Sequence, residues 1–201
     1  MAFEGIEGKS DDTLYQQFLA GNTTSYDELM IRYGDRLTFY LNGYLQDMND
    51  AEDLMIETFA RIMAKRPVIG SGAFKAYLFK TARNLALRHQ ERKHRMQVFS
   101  IDGLDSEVAD SILTSGTTGR YNPVEEDVGK QERKHILHRC LDRIEPELKE
   151  ALWLIYLEDM SYADAASVMK VTSKRIDHLL QRGKKQMRSE LMKEGLMSAY
   201  G

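Results

Sequence analysis

The residues best suited to chemistry lie in a basic segment near the end of the chain, at 170–193. It carries 8 lysine and arginine side chains and only 2 carboxylates. Long hydrogen-bond donors in the first half of a helix can read base edges in the major groove, while hydroxyls at the helix start and later cations suit phosphates. The candidate contacts are Thr172, Ser173, Lys174, Arg175, His178, Arg182 and Lys185. The segment therefore predicts DNA binding, and the alternative is an ordinary solvated basic face.

A second basic segment lies at 61–95, with 10 basic and 1 acidic side chains. Its cations alternate with Phe74, Tyr77 and Phe79. Single-stranded DNA is bound by cations that contact phosphates and by aromatic rings that stack on bases. The segment therefore predicts a single-strand binding surface, and the alternative is that the aromatic rings belong to the core.

Other combinations of reactive residues are weak. His135, His138 and Cys140 lie close together in the chain, but the sequence offers no fourth metal ligand beside them. The sequence has no glycine-rich phosphate loop, and its acidic pairs have no neighbouring base or nucleophile. We therefore expect no enzymatic activity, no metal and no cofactor.

The elements that must position these residues are helices. Prolines are few and long stretches are rich in strong helix formers, so we expect an all-α fold. Apolar periodicity predicts a helical pair over 11–45, a third helix over 50–66 and a fourth from Ala73 to about Arg95. A stretch at 96–129 loses the helical period and gains Gly, Ser, Thr and Asp, which predicts a flexible acidic linker.

The region from 130 to 193 has the pattern of a helix-turn-helix. Ser161 and Asp164 have the spacing of a capping box before a short helix over 162–169. A tight turn at 170–172 precedes a basic helix from about Ser173 to Met192. We therefore expect two small helical domains, one over 11–95 and one over 130–193.

The charge distribution supports two basic faces despite a net charge of −3. Residues 1–60 carry 3 basic and 12 acidic side chains, and residues 96–129 carry 1 and 7. The single cysteine, the lack of a long apolar run and the absence of a signal-peptide pattern at the first residues favour a cytoplasmic protein.

Several short segments occur in a specific order. Asp50-Ala-Glu-Asp-Leu54 is followed by Glu57-x-Phe59, then Phe74-Lys-Ala-Tyr-Leu-Phe79, then Thr81-Ala-Arg-Asn84, the linker and the helix-turn-helix. In this order and spacing the chain resembles the extracytoplasmic-function sigma factors, the small two-domain members of the bacterial sigma-70 superfamily. The resemblance covers residues 11–95 and 130–192.

This resemblance implies a sigma factor that directs core RNA polymerase to specific promoters and helps to melt the −10 element. Residues 11–95 would form region 2, and 130–193 would form region 4, which contacts the β flap and reads the −35 element with the seven residues named above. The carboxylates that would dock on the β′ clamp helices are Asp50, Glu52, Asp53 and Glu57. The −10 contacts would be Phe74, Lys75, Lys80, Arg83, Asn84, Arg88 and Arg92. The loop and helix from about Val68 to Arg92 would open the duplex and hold a flipped base, and an anti-sigma factor is a candidate partner.

The chain departs from the family pattern at a few positions. Ile56 stands where Gln is usual, and Tyr77 stands where Trp is usual. Arg175 and Asp177 replace the common Thr and Lys near the start of the reading helix. An aspartate there repels phosphate or accepts a hydrogen bond from a cytosine amino group.

Two other functions are consistent with a helix-turn-helix chain. A stand-alone regulator would bind duplex DNA without polymerase, usually at a two-fold site. It leaves the basic, aromatic-containing segment at 73–95 unexplained. A pure interaction protein, such as a sigma antagonist, would make no DNA contacts, and the basic segment at 170–193 argues against it.

Overall fold

The computed structural model describes residues 8–101, 136 and 139–195, and in the first range it describes side chains only as far as residue 96. In these ranges every regular element is helical, which confirms the predicted all-α fold. The chain divides into two compact units, Met1–Gly119 and Arg120–Gly201. Residues 102–129 of the predicted linker lie outside the described part.

The first unit contains four described helices: α1 (Asp11–Leu19), α2 (Thr23–Leu45), α3 (Met48–Lys65) and α4 (Phe74–Ile101). The first three match the predicted pair and third helix closely. α4 was predicted to end near Arg95, but it continues to Ile101. Residues 96–101 contain neither glycine nor proline, so no backbone signal stops the helix there.

Aromatic rings from all four helices form the core of the first unit. Tyr15 lies 5.2 Å from Phe74 between ring centroids, and Tyr26 meets Phe59 edge-on at 5.8 Å. The buried Tyr26 hydroxyl donates a hydrogen bond to the Phe59 carbonyl oxygen at 2.6 Å, and burial raises the pKa of this phenol. This core packs α4 against α1 and α2, and it thereby fixes the position of the helix that carries the cations.

The second unit begins, within the described part, with helical residues at 136 and 139–142. It continues with α5 (Pro146–Leu152), a π-helical turn (Trp153–Leu157), α6 (Tyr162–Met169) and α7 (Ser173–Lys193). α6 and α7 have the predicted bounds within one residue.

Local capping interactions produce the turn between α6 and α7. Ser161 Oγ accepts a hydrogen bond from the Asp164 backbone N–H at 3.1 Å and begins α6. Lys170 adopts a left-handed backbone conformation with φ of 58° and ends it. Thr172 Oγ1 then accepts from the Arg175 N–H at 3.2 Å and begins α7. The helix-turn-helix geometry thus follows from residues within the motif itself.

α7 is fixed on its support by one buried side. Ile176, Leu179 and Leu180 are at most 1% exposed. Gly183 allows the backbone of α7 to approach α5 closely, since a Cβ there would lie 3.1 Å from carbon atoms of Leu152. The opposite side of α7 is therefore held outward.

Candidate nucleic-acid interface

The exposed side of α7 carries the predicted duplex-DNA contacts. All seven residues from Thr172 to Lys185 named above are exposed. At the helical rotation of ~100° per residue, the predicted contacts Lys174, Arg175, His178, Arg182 and Lys185 fall within an arc of roughly 100°. The buried residues lie on the other side of the helix. The structure therefore brings the predicted set together as one continuous donor surface.

Two acidic residues at the start of α5 contact this surface, and the sequence analysis did not identify them. Glu147 Oε2 lies 2.7 Å from Arg175 Nη2, and Glu145 Oε2 lies 3.0 Å from Arg182 Nη2. These are exposed pairs between residues 28 and 37 positions apart. No local pattern links residues that are so distant, which is why the pairs were missed.

Other residues along α7 are also held by neighbours. Asp177 Oδ2 accepts a hydrogen bond from Gln181 Nε2 at 2.9 Å, one turn further along the helix. Lys184 Nζ lies 5.1 Å from the centroid of the Tyr156 ring. A hydrogen bond with Tyr156 raises the pKa of Lys184. The Asp177 carboxylate is therefore hydrogen-bonded to a side-chain amide, and Lys184 contacts an aromatic ring.

The predicted −10 contacts on α4 differ in exposure. Arg88 and Arg92 are exposed, whereas Lys75, Lys80, Arg83 and Asn84 are half-buried. Phe74 is 1% exposed, with its ring 5.2 Å from Tyr15 and 6.2 Å from Tyr33.

The burial of Phe74 favours the alternative that the sequence left open for this residue, a place in the core. Its ring belongs to the aromatic core, so neither ring face is available to stack on a base in this structure. Phe79 is also fully buried, and only Tyr77 of the three aromatic residues is partly exposed. Apolar periodicity alone could not distinguish a core ring from a stacking ring.

The carboxylates of α3 fall into two groups. Glu52 and Asp53 are exposed, beside the 54% exposed Ile56. Asp50 Oδ2 lies 3.3 Å from His89 Nε2 and 3.4 Å from Lys93 Nζ, both on α4. The acidic face of α3 is thus partly neutralised by α4.

A groove between α3 and α4 brings together residues that the sequence assigned to different partners. It has a volume of about 280 Å³, with Leu54 and Leu85 among its lining residues. Glu57 lines it and pairs with Arg61 at 2.6 Å, and Arg88 and Arg92 line it as well. A predicted polymerase contact therefore lies beside two predicted DNA contacts.

The weak metal candidate gains no structural support from the described residues. His135 and His138 lie outside the described part, and Cys140 is fully buried, which raises the pKa of its thiol. Within the described ranges, no group of three possible ligands is placed to hold a metal ion. None of the helices described is both long and apolar enough to cross a membrane.

Comparison with protein families finds two matches. The family model for sigma-70 region 2 matches residues 29–96, and the model for sigma-70 region 4 matches residues 134–187. Together the two ranges cover more than half of the chain. They include α3, α6, most of α4 and most of α7, and with them all the candidate contacts.

Individual relatives span both regions. The ECF RNA polymerase sigma factor SigM of Bacillus subtilis is 25% identical over 163 residues, covering 81% of this chain and 93% of the relative. The ECF RNA polymerase sigma factor SigE of Mycolicibacterium smegmatis is 27% identical over 179 residues, covering 87% of this chain and 65% of the relative.

A solved structure has the same fold. The sigma factor RpoE of Bartonella quintana, in complex with the anti-sigma factor NepR, superposes with a TM-score of 0.63 at 21% identity. The match covers 83% of this chain and 96% of that one. The family predicted from the sequence is confirmed, and this chain belongs to the extracytoplasmic-function sigma factors of the sigma-70 superfamily.

Proposed function

We propose that this sigma factor binds core RNA polymerase through the acidic face of α3 and binds promoter DNA through α4 and α7. The observation that carries the proposal is the exposed face of α7, where Lys174, Arg175, His178, Arg182 and Lys185 lie together opposite a buried side, with Thr172 and Ser173 exposed at the helix start. A helix presented in this way by a helix-turn-helix fits the major groove.

For the −35 element, Lys174, Arg175 and His178 are the proposed base contacts. They lie in the first two turns of α7, the part of a reading helix that reaches base edges. Thr172 and Ser173 at the helix start, with Arg182 and Lys185 further along, suit phosphates because they flank the reading turns.

The Arg175→Ala variant separates base reading from phosphate contact. If Arg175 reads a base, its removal costs about 1–3 kcal/mol and relaxes the preference at one −35 position. An equal loss on every promoter would make Arg175 a phosphate contact instead. The measurement is the affinity of the polymerase holoenzyme for promoters substituted one base pair at a time.

For the −10 element, the proposed contacts are Lys75, Lys80, Arg83, Asn84, Arg88 and Arg92 on α4. Here Arg88 and Arg92 are the exposed cations suited to phosphates of a separated strand, and the partly exposed Tyr77 is the ring suited to stacking. The loop before α4, with Val68 98% exposed, is the proposed strand-separating element.

For polymerase docking, Glu52 and Asp53 are the primary contacts that we propose. Both are exposed on α3, beside the exposed apolar side chain of Ile56. Asp50 and Glu57 are also proposed contacts, but each already has a basic partner within the unit. When a basic partner protein binds, these two carboxylates must therefore either contact it in addition to their present partners or exchange those partners for it.

The docking assignment is tested by reversing charges with a matched control. The Glu52→Lys/Asp53→Lys variant should lose binding to core polymerase while its helix content stays unchanged. The Asp27→Lys/Asp35→Lys variant makes the same charge change at exposed positions of α2. Retained binding by the first variant, or equal loss by both, would contradict a specific docking face on α3.

The whole function is tested by transcription with purified core polymerase on a library of promoter fragments, with and without the protein. We expect protein-dependent initiation at fragments that share one −35/−10 pair. If core polymerase does not initiate while the protein alone selects duplex sites, the function is that of a stand-alone regulator.

Further parts of the proposal concern the protein's setting. We propose that it has no catalytic activity of its own and acts in the cytoplasm, where its polymerase and promoters are found. Because the Bartonella relative forms a complex with an anti-sigma factor, an anti-sigma partner is also proposed here. The domain limits 11–95 and 130–193 are proposed on the sequence pattern, and the linker predicted at 96–129 begins only after α4 ends at Ile101.

A further inference from the structure

The segment that joins α3 to α4, from Pro67 to Ala73, has no regular secondary structure. It follows Arg66, which adopts a left-handed backbone conformation with φ of 43°, and it includes Gly72 with φ of 73°. Val68 is 98% exposed near its start. A short exposed segment of this kind needs contacts from elsewhere in the fold to keep one conformation.

Those contacts come from α1. Asp12 Oδ2 accepts hydrogen bonds from Ser71 Oγ at 2.8 Å and from the Gly72 N–H at 2.5 Å. The Tyr15 hydroxyl donates to the Pro67 carbonyl oxygen at 2.7 Å. Asp12 and Tyr15 are three residues apart and share one face of the helix. One face of α1 therefore holds both ends of the loop.

The Asp12 carboxylate also lies beside the start of α4. The residue before α4 is Ala73, whose side chain has no acceptor for the free N–H groups of the first helical turn. A carboxylate close to a helix N-terminus is favourable because it faces the positive end of the helix dipole. Asp12 thus links the loop conformation to the beginning of α4.

α1 is held in place by its buried side, where Leu14, Tyr15 and Phe18 pack in the core and the Phe18 ring lies 4.4 Å from that of Tyr26, so it can serve as a reference point for the loop. Asp11, next to Asp12, accepts hydrogen bonds from Arg32 Nη1 at 3.2 Å and from the Tyr33 hydroxyl. Tyr15 is 1% exposed, and its ring packs on Phe74. Neighbouring aspartates of α1 therefore contact different parts of the unit, α2 and the loop.

We propose that Asp12 and Tyr15 are positioning residues for promoter opening. They hold the Pro67–Ala73 loop in the conformation in which it separates the strands of the −10 element. This inference rests on the proposed function of that loop. Neither residue touches DNA in this account, and both act through the loop backbone.

The test measures promoter opening by the holoenzyme with a fluorescent base analogue in the −10 element. Asp12→Ala should slow opening by about tenfold, as expected when a hydrogen-bonded positioning contact is lost. Tyr15→Phe, which keeps the ring but loses the bond to Pro67, should slow it in the same direction. Asp12→Asn keeps one acceptor oxygen and should recover most of the rate.

The matched control is Asp11→Ala, which makes the same change one residue earlier and breaks contacts with α2. We expect it to lower thermal stability without the opening defect, and we expect all variants to bind core polymerase and a −35 duplex normally. Opening at the wild-type rate by Asp12→Ala, an equal defect in Asp11→Ala, or no recovery in Asp12→Asn would overturn the inference. Absence of opening by the wild-type holoenzyme would refute the proposed function itself.

Discussion

Replacing Glu147 with glutamine should strengthen DNA binding, although the residue is not proposed to contact DNA. Its carboxylate pairs with Arg175 at 2.7 Å in the free protein. If Arg175 turns to a base in the complex, this pair must break on binding. Glutamine keeps the size of the side chain and removes the charge that competes with DNA for the guanidinium group.

The expected gain follows from the exposure of the pair. The side chains of Arg175 and Glu147 are 42% and 44% exposed, so solvent screens their attraction strongly. Exposed pairs of this kind contribute roughly 0.2–1 kcal/mol. Because Glu147→Gln removes this attraction from the free protein, DNA binding no longer has to break it, and the affinity rises by about 1.4- to fivefold. Glu147 also lies in the first turn of α5, so its neutralisation should cost that helix about 0.3–1 kcal/mol.

The assay is fluorescence anisotropy of a −35 promoter duplex with the full chain bound to core polymerase, and it uses a double-mutant cycle. Glu147→Gln is measured in the wild type and in the Arg175→Ala background. The Asp142→Asn variant removes an equal charge from a pair with Lys149, with an N···O distance of 2.6 Å, that does not involve α7. It reports the long-range effect of charge on DNA affinity.

We expect Glu147→Gln to tighten binding only when Arg175 is present and by more than Asp142→Asn does. Weaker binding by Glu147→Gln would mean that the carboxylate orients Arg175 in the complex, contrary to this reasoning. Equal gains in both backgrounds would mean that the effect is long-range repulsion of phosphate rather than competition for Arg175.

Three further predictions concern stability. Above the ordinary phenol pKa of 10.0 the unfolded chain loses a proton that buried Tyr26 keeps, so the free energy of unfolding of the wild type falls as pH rises. Tyr26→Phe removes this contribution, so its free energy of unfolding should fall less over the same pH range, as denaturant titrations across pH would show. Ser161→Ala should destabilise the second unit by about 1 kcal/mol in thermal unfolding, because the Asp164 N–H loses its cap. Leu179→Ala should cost about 2–5 kcal/mol by the same measurement, because its fully buried side chain supports α7; a loss below 1 kcal/mol would contradict that role.

The sequence by itself determined the helical class, the helix-turn-helix and the family. The start and end of α6 and the start of α7 depend on Ser161, Asp164, Lys170 and Thr172, which act on neighbours within a few residues. Such local interactions leave local patterns, so they can be read directly. The exposed side of α7 followed as well, since the periodicity of its apolar residues fixes which side is buried.

Only the tertiary structure decided which predicted contacts are accessible and which residues hold them. Phe74 is an aromatic residue of the type that stacks on bases, but rings from α1 and α2 enclose it. The sequence pattern predicted Arg175 as an available hydrogen-bond donor, but Glu147 contacts it from another helix. Asp12 gave no signal in the sequence, because its bonds reach a loop about 60 residues away. These features depend on how helices pack against one another, and residues distant in the chain meet only when the whole unit has folded.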